Sequence, residues 1–373
     1  GSGNLILSNS LASFIGGGQQ NTIGLVSGFG SWNAYNSVIA GGRRNTVLKE
    51  VAVIGGGNFN TNEATAGTIA GGQLNRVAAA YTTIGGGIYN TNIGYAATIA
   101  GGYENLATDQ FSAVGGGRAN LASASNSVVG GGETNYATGI GATVAGGSLN
   151  AANGTRSAIG GGFNNKATGI LATIPGGSGN SATNYSFAGG RNASAEHDGS
   201  FVWGSQTGII YTPTDSFAAN TFTVRCQGGA RFYTANGSGT GVELEALDTS
   251  WGALSDSNAK TDFAPIKPRE ILSKVAALPV TSWHYKHNPD RRYIGPTAQD
   301  FHAAFGLGCD DKRITTLDTD GVMYAAIQGL VEELKERDRE IEELKTISAE
   351  IDDLKTELRA LRERVQSSIP PAP

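Results

Sequence analysis

Charge is scarce in this chain. Only 16% of its 373 residues are charged, and residues 1–200 hold just 8 Lys/Arg and 7 Asp/Glu. No basic patch or Lys/Arg run occurs there, so the electrostatic footprint of a nucleic-acid binder is missing. Cysteine is limited to Cys226 and Cys309, in different regions. Unpaired thiols are therefore the favoured reading over a disulfide. The histidines do not cluster: His197 beside Asp198 has no partner set, so neither a metal nor a cofactor is expected. No apolar stretch approaches the roughly eighteen residues of a membrane-spanning helix. The glycine-rich turns lack a following Gly-Lys-Ser/Thr, which excludes phosphate loops.

What is abundant is glycine, 56 residues of it, arranged with a strict period. Asn45, Asn60, Asn75, Asn90, Asn105, Asn120, Asn135, Asn150, Asn165 and Asn180 recur every 15 residues, each three positions after a Gly-Gly pair. A short fixed period means one unit stacked on copies of itself. Nine residues after each Asn stands Ile or Val, from Ile54 to Ile174, and seven after it a small residue, from Ala52 to Ala172. These two positions share one side of a strand, because side chains alternate with period two. The β-branched column thus points inward with a small residue beside it. Helix is excluded by the glycines and by the absence of a 3.6-residue period.

One coil per repeat gives a rise of about 4.8 Å, so ten coils make a rod of about 50 Å. The asparagines are expected to stack as a ladder, each amide bonding to neighbours above and below. An ion held on the ladder axis is the less favoured alternative. The first coil is irregular, with 24 residues from Asn21 to Asn45 and an insertion around Phe29 to Trp32. The sequence places the end of the array at Gly189-Gly190-Arg191-Asn192. So thin a coil buries little on its own and is expected to gain stability by packing against other copies. The Gly-Gly-x-x-Asn-x-Ala and Ala-Thr-Ile/Val-Ala/Gly-Gly-Gly segments over residues 12–192 resemble the head repeats of YadA-like trimeric adhesins. That resemblance implies a trimeric parallel β-roll.

Beyond the array, Ser200–Gly204 and Asn220–Arg225 are strand-like runs, read as a β-rich neck over 193–254. Then follow Leu254-Ser255-Asp256-Ser257-Asn258-Ala259-Lys260, Leu278-Pro279-Val280-Thr281-Ser282-Trp283, Ile294-Gly295-Pro296-Thr297-Ala298-Gln299-Asp300-Phe301 and Asp318-Thr319-Asp320-Gly321-Val322. In this order the motifs resemble the self-cleaving intramolecular chaperone domain of phage tail spikes and fibres, the endosialidase type. The resemblance implies a serine–lysine dyad of Ser255 and Lys260, with the chain cut between Leu254 and Ser255. A serine hydroxyl needs a base to take its proton, and a desolvated lysine is such a base. Spacing alone favours a blander reading, in which Ser255 caps a turn and Lys260 is solvated. A Ser-His-Asp site is less attractive, since His284, His287 and His302 have no nucleophile motif nearby.

Residues 323–366 carry apolar positions from Ile327 through Leu334, Ile341, Leu344 and Ile351 to Val365, in steps of three and four that suit a coiled coil. Consecutive three-residue steps at Ile341, Leu344 and Ile347 break the register. A helix packing back onto its own domain is the alternative. The expected organisation is mainly β: 1–11 tag scar and leader, 12–192 trimeric β-roll or solenoid of 15-residue repeats, 193–254 neck. A small α+β chaperone domain at 255–322, the helix at 323–366 and a tail at 367–373 follow.

The function expected from these resemblances is a homotrimeric fibre or spike, extracellular and carried by a phage tail or phage-like particle, that attaches to an unidentified surface glycan or protein. Its enzymatic activity would be a single self-cleavage. The alternative is a bacterial trimeric surface adhesin with a permanent, uncleaved cap; it expects a membrane barrel, and residues 1–373 contain no such segment. A glycan-degrading spike needs paired carboxylates, and the repeats offer only scattered acids such as Glu104, Asp109 and Glu133. Ice binding is remote, because Val, Ala and Ser interrupt the Thr68, Thr83 and Thr98 column.

Overall fold

A computed structural model describes residues 1–24, 33–205, 212–234, 241–253, 255–308 and 310–367. The insertion around Phe29 to Trp32, Leu254, Cys309 and the terminal 368–373 lie outside the described residues. The chain divides into two compact units, one of Gly1–Ala230 with Leu244–Thr249 and one of Arg231–Glu243 with Ser250–Pro373.

The first unit is a parallel β-solenoid. Each coil contributes one short strand to each of two 14-stranded sheets, the first beginning at Leu5–Ile6 and the second at Phe14–Ile15. Pairing is parallel and steps by one repeat, as in Thr83↔Thr98 and Ile84↔Ile99. A third ladder of single-residue bridges runs from Gln19 to Arg191. The core is a stack of the expected columns. Ile54, Ile69, Ile84 and Ile99 are fully buried, beside Ala52, Thr82 and Ala97. Each buried Ile or Val contributes about 1.5–3 kcal/mol relative to an exposed one, and the small residue opposite leaves room for it.

The asparagine ladder forms, with a geometry richer than amide stacking. Asn60 Oδ1 accepts the backbone N–H of Asn75 at 3.0 Å. Its Nδ2 donates to Gly56 O within its own coil and to Gly72 O of the next, both at 3.0 Å. Some rungs add an amide-to-amide bond, such as Asn75 Nδ2 to Asn60 Oδ1 at 3.2 Å. One side chain thereby satisfies buried backbone groups in two coils, which would otherwise cost about 1–3 kcal/mol each. The residue before each Asn turns left-handed, as at Phe59 (φ 58°) and Tyr89 (φ 60°). Its N–H reaches back to the preceding coil, Phe59 N to Arg43 O at 2.9 Å. The second glycine of each pair is obligatory. Gly102 has φ +96°, and a Cβ there would fall 2.2 Å from Gly117 O.

The two sheets run past Asn192. Ala193–Ala195 and Thr214–Asp215 extend the first, Phe201–Ser205 and Phe222–Cys226 the second. The Gly-Gly-x-x-Asn spacing lapses there because longer strands and a stack of aromatic rings take over. Phe187, Phe201 and Phe222 lie at centroid distances of 4.6 and 4.8 Å.

Among its described residues, the second unit contains three α-helices, a hairpin and most of a small three-stranded sheet. Helix α1, Pro268–Ala277, starts on a proline at its first position. An antiparallel hairpin of Thr281–Tyr285 and Asn288–Gly295 follows, with Trp283 stacked on Tyr293 at 5.0 Å. Helix α2, Ala298–Phe305, is capped by Thr297, whose Oγ1 accepts from Asp300 N at 3.2 Å, and ends on left-handed Gly306. Helix α3 spans Thr316–Ser367 and so begins before residue 323, where the apolar pattern places it. Thr315 Oγ1 accepts from Asp318 N at 3.1 Å and donates to Asp318 Oδ2 at 2.7 Å, an N-cap upstream of the apolar stripe.

Helix α3 does two things. Its first turns pack on α1, where Gly329 allows close approach: a Cβ there would lie 2.5 Å from Pro268 O. Arg269 of α1 pairs with Glu336 at 2.6 Å and Glu332 at 3.5 Å, so the like-charged Glu332–Glu336 pair is bridged by a cation. Farther along, Leu344, Leu354, Leu358 and Leu361 are all more than half exposed. The helix thus packs back onto its own unit at one end and leaves an apolar seam open at the other.

Candidate active site at Ser255

Asp256 builds the local turn. Its Oδ1 accepts from Asn258 N at 2.9 Å and from Asn258 Nδ2 at 3.0 Å, and this starts a 3₁₀ turn over Ser257–Ala259. Ala259 N donates to Asp256 O, and Lys260 N to Ser257 O at 3.2 Å. An aspartate in this position offers the backbone N–H a local acceptor that competes with longer structure, so the chain folds tightly over four residues. The result returns Lys260 to Ser255. Lys260 Nζ lies 2.5 Å from Ser255 Oγ, the ammonium donating to the hydroxyl oxygen.

This separation is the reach of a proton transfer. With the amine neutral, the same contact reverses and the hydroxyl donates to Nζ. Both side chains are exposed within the chain, together with every described residue from Trp251 to Phe263. A lysine acts as a base near neutral pH only when desolvated or beside another cation, so the pair needs a cover. Leu254, on the far side of the expected cut, lies outside the described residues.

The sequence singles out Ser255 and Lys260, and the two side chains meet. Asp256 and Asn258 hold the turn, and the Asp-x-Asn spacing is the signal for it. Three of the four histidines are engaged elsewhere. His302 Nδ1 lies 2.9 Å from Leu307 O, His287 stacks on Tyr285 at 5.4 Å, and His197 Nδ1 is 2.9 Å from Ser216 Oγ. Among the described residues, no group of three His, Cys, Asp or Glu side chains is placed to hold a metal ion. No helix among them is long and apolar enough to cross a membrane. Cys226 is an exposed free thiol at the end of its strand.

Residues 255–306 match the family described as chaperone of endosialidase. The matched segment opens on Ser255 itself and closes at Gly306, so it takes in the 3₁₀ turn, α1, the hairpin and α2. Helix α3 lies beyond the match and joins the chaperone segment through α1. No curated protein matches the chain.

Proposed function

We propose that this chain is a homotrimeric fibre or spike protein, extracellular and borne on a phage tail or similar particle, that attaches to a cell-surface glycan or protein. Its C-terminal chaperone segment directs trimer folding and then cuts the chain before Ser255. The carrying observation is the 2.5 Å contact of Lys260 Nζ with Ser255 Oγ, at the first residue of the chaperone match.

The chemistry follows from that contact. Neutral Lys260 takes the Ser255 hydroxyl proton, and Oγ attacks the carbonyl carbon of residue 254. The C–N bond breaks, the amine of residue 255 leaves with the proton, and an ester joins the 254 acyl group to Oγ. Water then hydrolyses the ester, restores the hydroxyl and frees a carboxylate at 254. The scissile carbonyl and the nucleophile are adjacent in the chain, so the proximity advantage is built in. The exposed setting of the pair supports a sequence in which assembly precedes cleavage. The open seam of α3 supports self-association through a coiled coil, and the stacked coils of the solenoid support a durable rod. Three chains must find one common register before their coils can pack side by side, which gives a C-terminal template its use.

Intact-mass analysis of freshly folded wild type beside Ser255→Ala and Lys260→Ala tests this. A break before Ser255 in wild type, with both variants whole, is the expected result. A wild-type chain that stays whole after assembly would favour the permanent cap of a surface adhesin.

A further inference from the structure

The solenoid does not distribute charge evenly around its coils. Between Asn45 and Asn180, charged side chains occur on the first sheet (Arg76, Lys166), on the bridge ladder (Arg118, Glu133) and at the turn between the sheets (Asp109, Arg156). The outward column of the second sheet has none. From Val38 to Thr173 that column contains only Val, Thr and Ala. Two residues onward each coil carries Gly, Ala or Pro, and the next position is always Gly. The face is therefore flat as well as uncharged. At its ends it presents phenylalanine, with Phe14 60% and Phe222 67% exposed although both are large and apolar.

We propose that this outer face of the second sheet is where a neighbouring copy of the chain packs along the rod. The inference rests on the trimeric reading above and adds which surface the copies use. Fourteen rungs at about 4.8 Å make a strip roughly 60 Å long, and a width of four extended residues adds roughly 12 Å. The strip thus offers roughly 700 Å² per chain, close to the ~800 Å² per partner of a standard stable interface. Depletion of charge is also the compositional mark of an interface centre. In a three-fold assembly the contact is heterologous, so the neighbour is free to present a different surface to this one.

Val128 on this face and Tyr136 on the first sheet are matched reporters, 36% and 37% exposed within one chain. The full-length protein is made as Val128→Cys or Tyr136→Cys, each with Cys226→Ser and Cys309→Ser, and reacted with a bulky maleimide after its native mass is measured. In a trimer, the thiol at 128 is expected to react on the order of tenfold more slowly than that at 136, with the two equal after denaturation. Thr98→Cys serves as a second reporter on the same face should Val128→Cys fail to assemble. A trimer whose thiol at 128 reacts as fast as it does in the denatured chain overturns the assignment of this face and leaves the trimer standing. A wild-type monomer overturns the trimeric reading itself, and the face then has no such occupant.

Discussion

Replacing Asn90 with alanine removes one rung of the ladder. Four bonds go at once: Oδ1 no longer accepts Asn105 N (3.0 Å), and Nδ2 no longer donates to Gly86 O (3.0 Å), Gly102 O (2.9 Å) or Asn75 Oδ1 (3.2 Å). Gly102 O keeps the N–H of Ile88 as a partner, so its loss is small. The Asn105 N–H is left buried without an acceptor, at about 1–3 kcal/mol, and the vacated space adds to this. A total of about 2–4 kcal/mol is expected. Urea unfolding at fixed protein concentration measures it, since assembly makes apparent stability depend on concentration. Hydrogen exchange at Asn105 gives the local reading. The Asn75→Ala/Asn90→Ala double variant should cost less than the sum of the singles, because the Asn90 Nδ2 to Asn75 Oδ1 bond (3.2 Å) is counted in both. A loss below about 0.5 kcal/mol, with Asn105 N–H still protected, would refute the view that the side chain satisfies the backbone.

Two further outcomes follow from the geometry. Gly102→Ala should prevent a properly stacked coil, whereas Gly101→Ala should leave the coil itself intact, because the nearest atoms of other coils in the same chain lie 3.9 Å from a Cβ at 101; circular dichroism spectra of the pair decide it. Asp256→Ala should slow cleavage about tenfold or more by loosening the turn that holds Lys260, and Asp256→Asn, which keeps an Oδ1 acceptor, should restore most of the rate in a timed intact-mass assay.

The architecture was legible because each structural position is sampled once per repeat. A column of Ile and Val beside a column of Ala, Ser and Thr leaves one assignment of inside and outside, and Ile84, Ile99 and Ser112 are buried accordingly. The backbone conformation before each Asn was not legible. Arg44, Phe59, Leu74 and Tyr89 share a left-handed φ without sharing a side-chain type, because closure of the coil demands it. The start of α3 was hidden for a different reason: Asp318, Thr319, Asp320 and Gly321 resemble a turn in composition, and the capping of Thr315 outweighs that local preference. At Ser255, the residue types were readable and the closure was not. A spacing of five places a serine and a lysine together only if the intervening chain doubles back, and the bonds to Asp256 make it do so.

The ladder also has a direction. Every ladder side chain bonds to its own coil and to the coil that follows, and seven of the eleven from Asn21 to Asn180 add one bond back to the amide of the coil before. Asn165 waits on Gly177 and Asn180, and Asn180 in turn on Gly190 and Ala193. A chain that orders itself from its N-terminal end would bury each amide before its acceptors arrive. One that zips from the C-terminal end makes the own-coil and next-coil bonds of each rung as it is laid down, so the array is a ratchet whose free end faces backward along the chain.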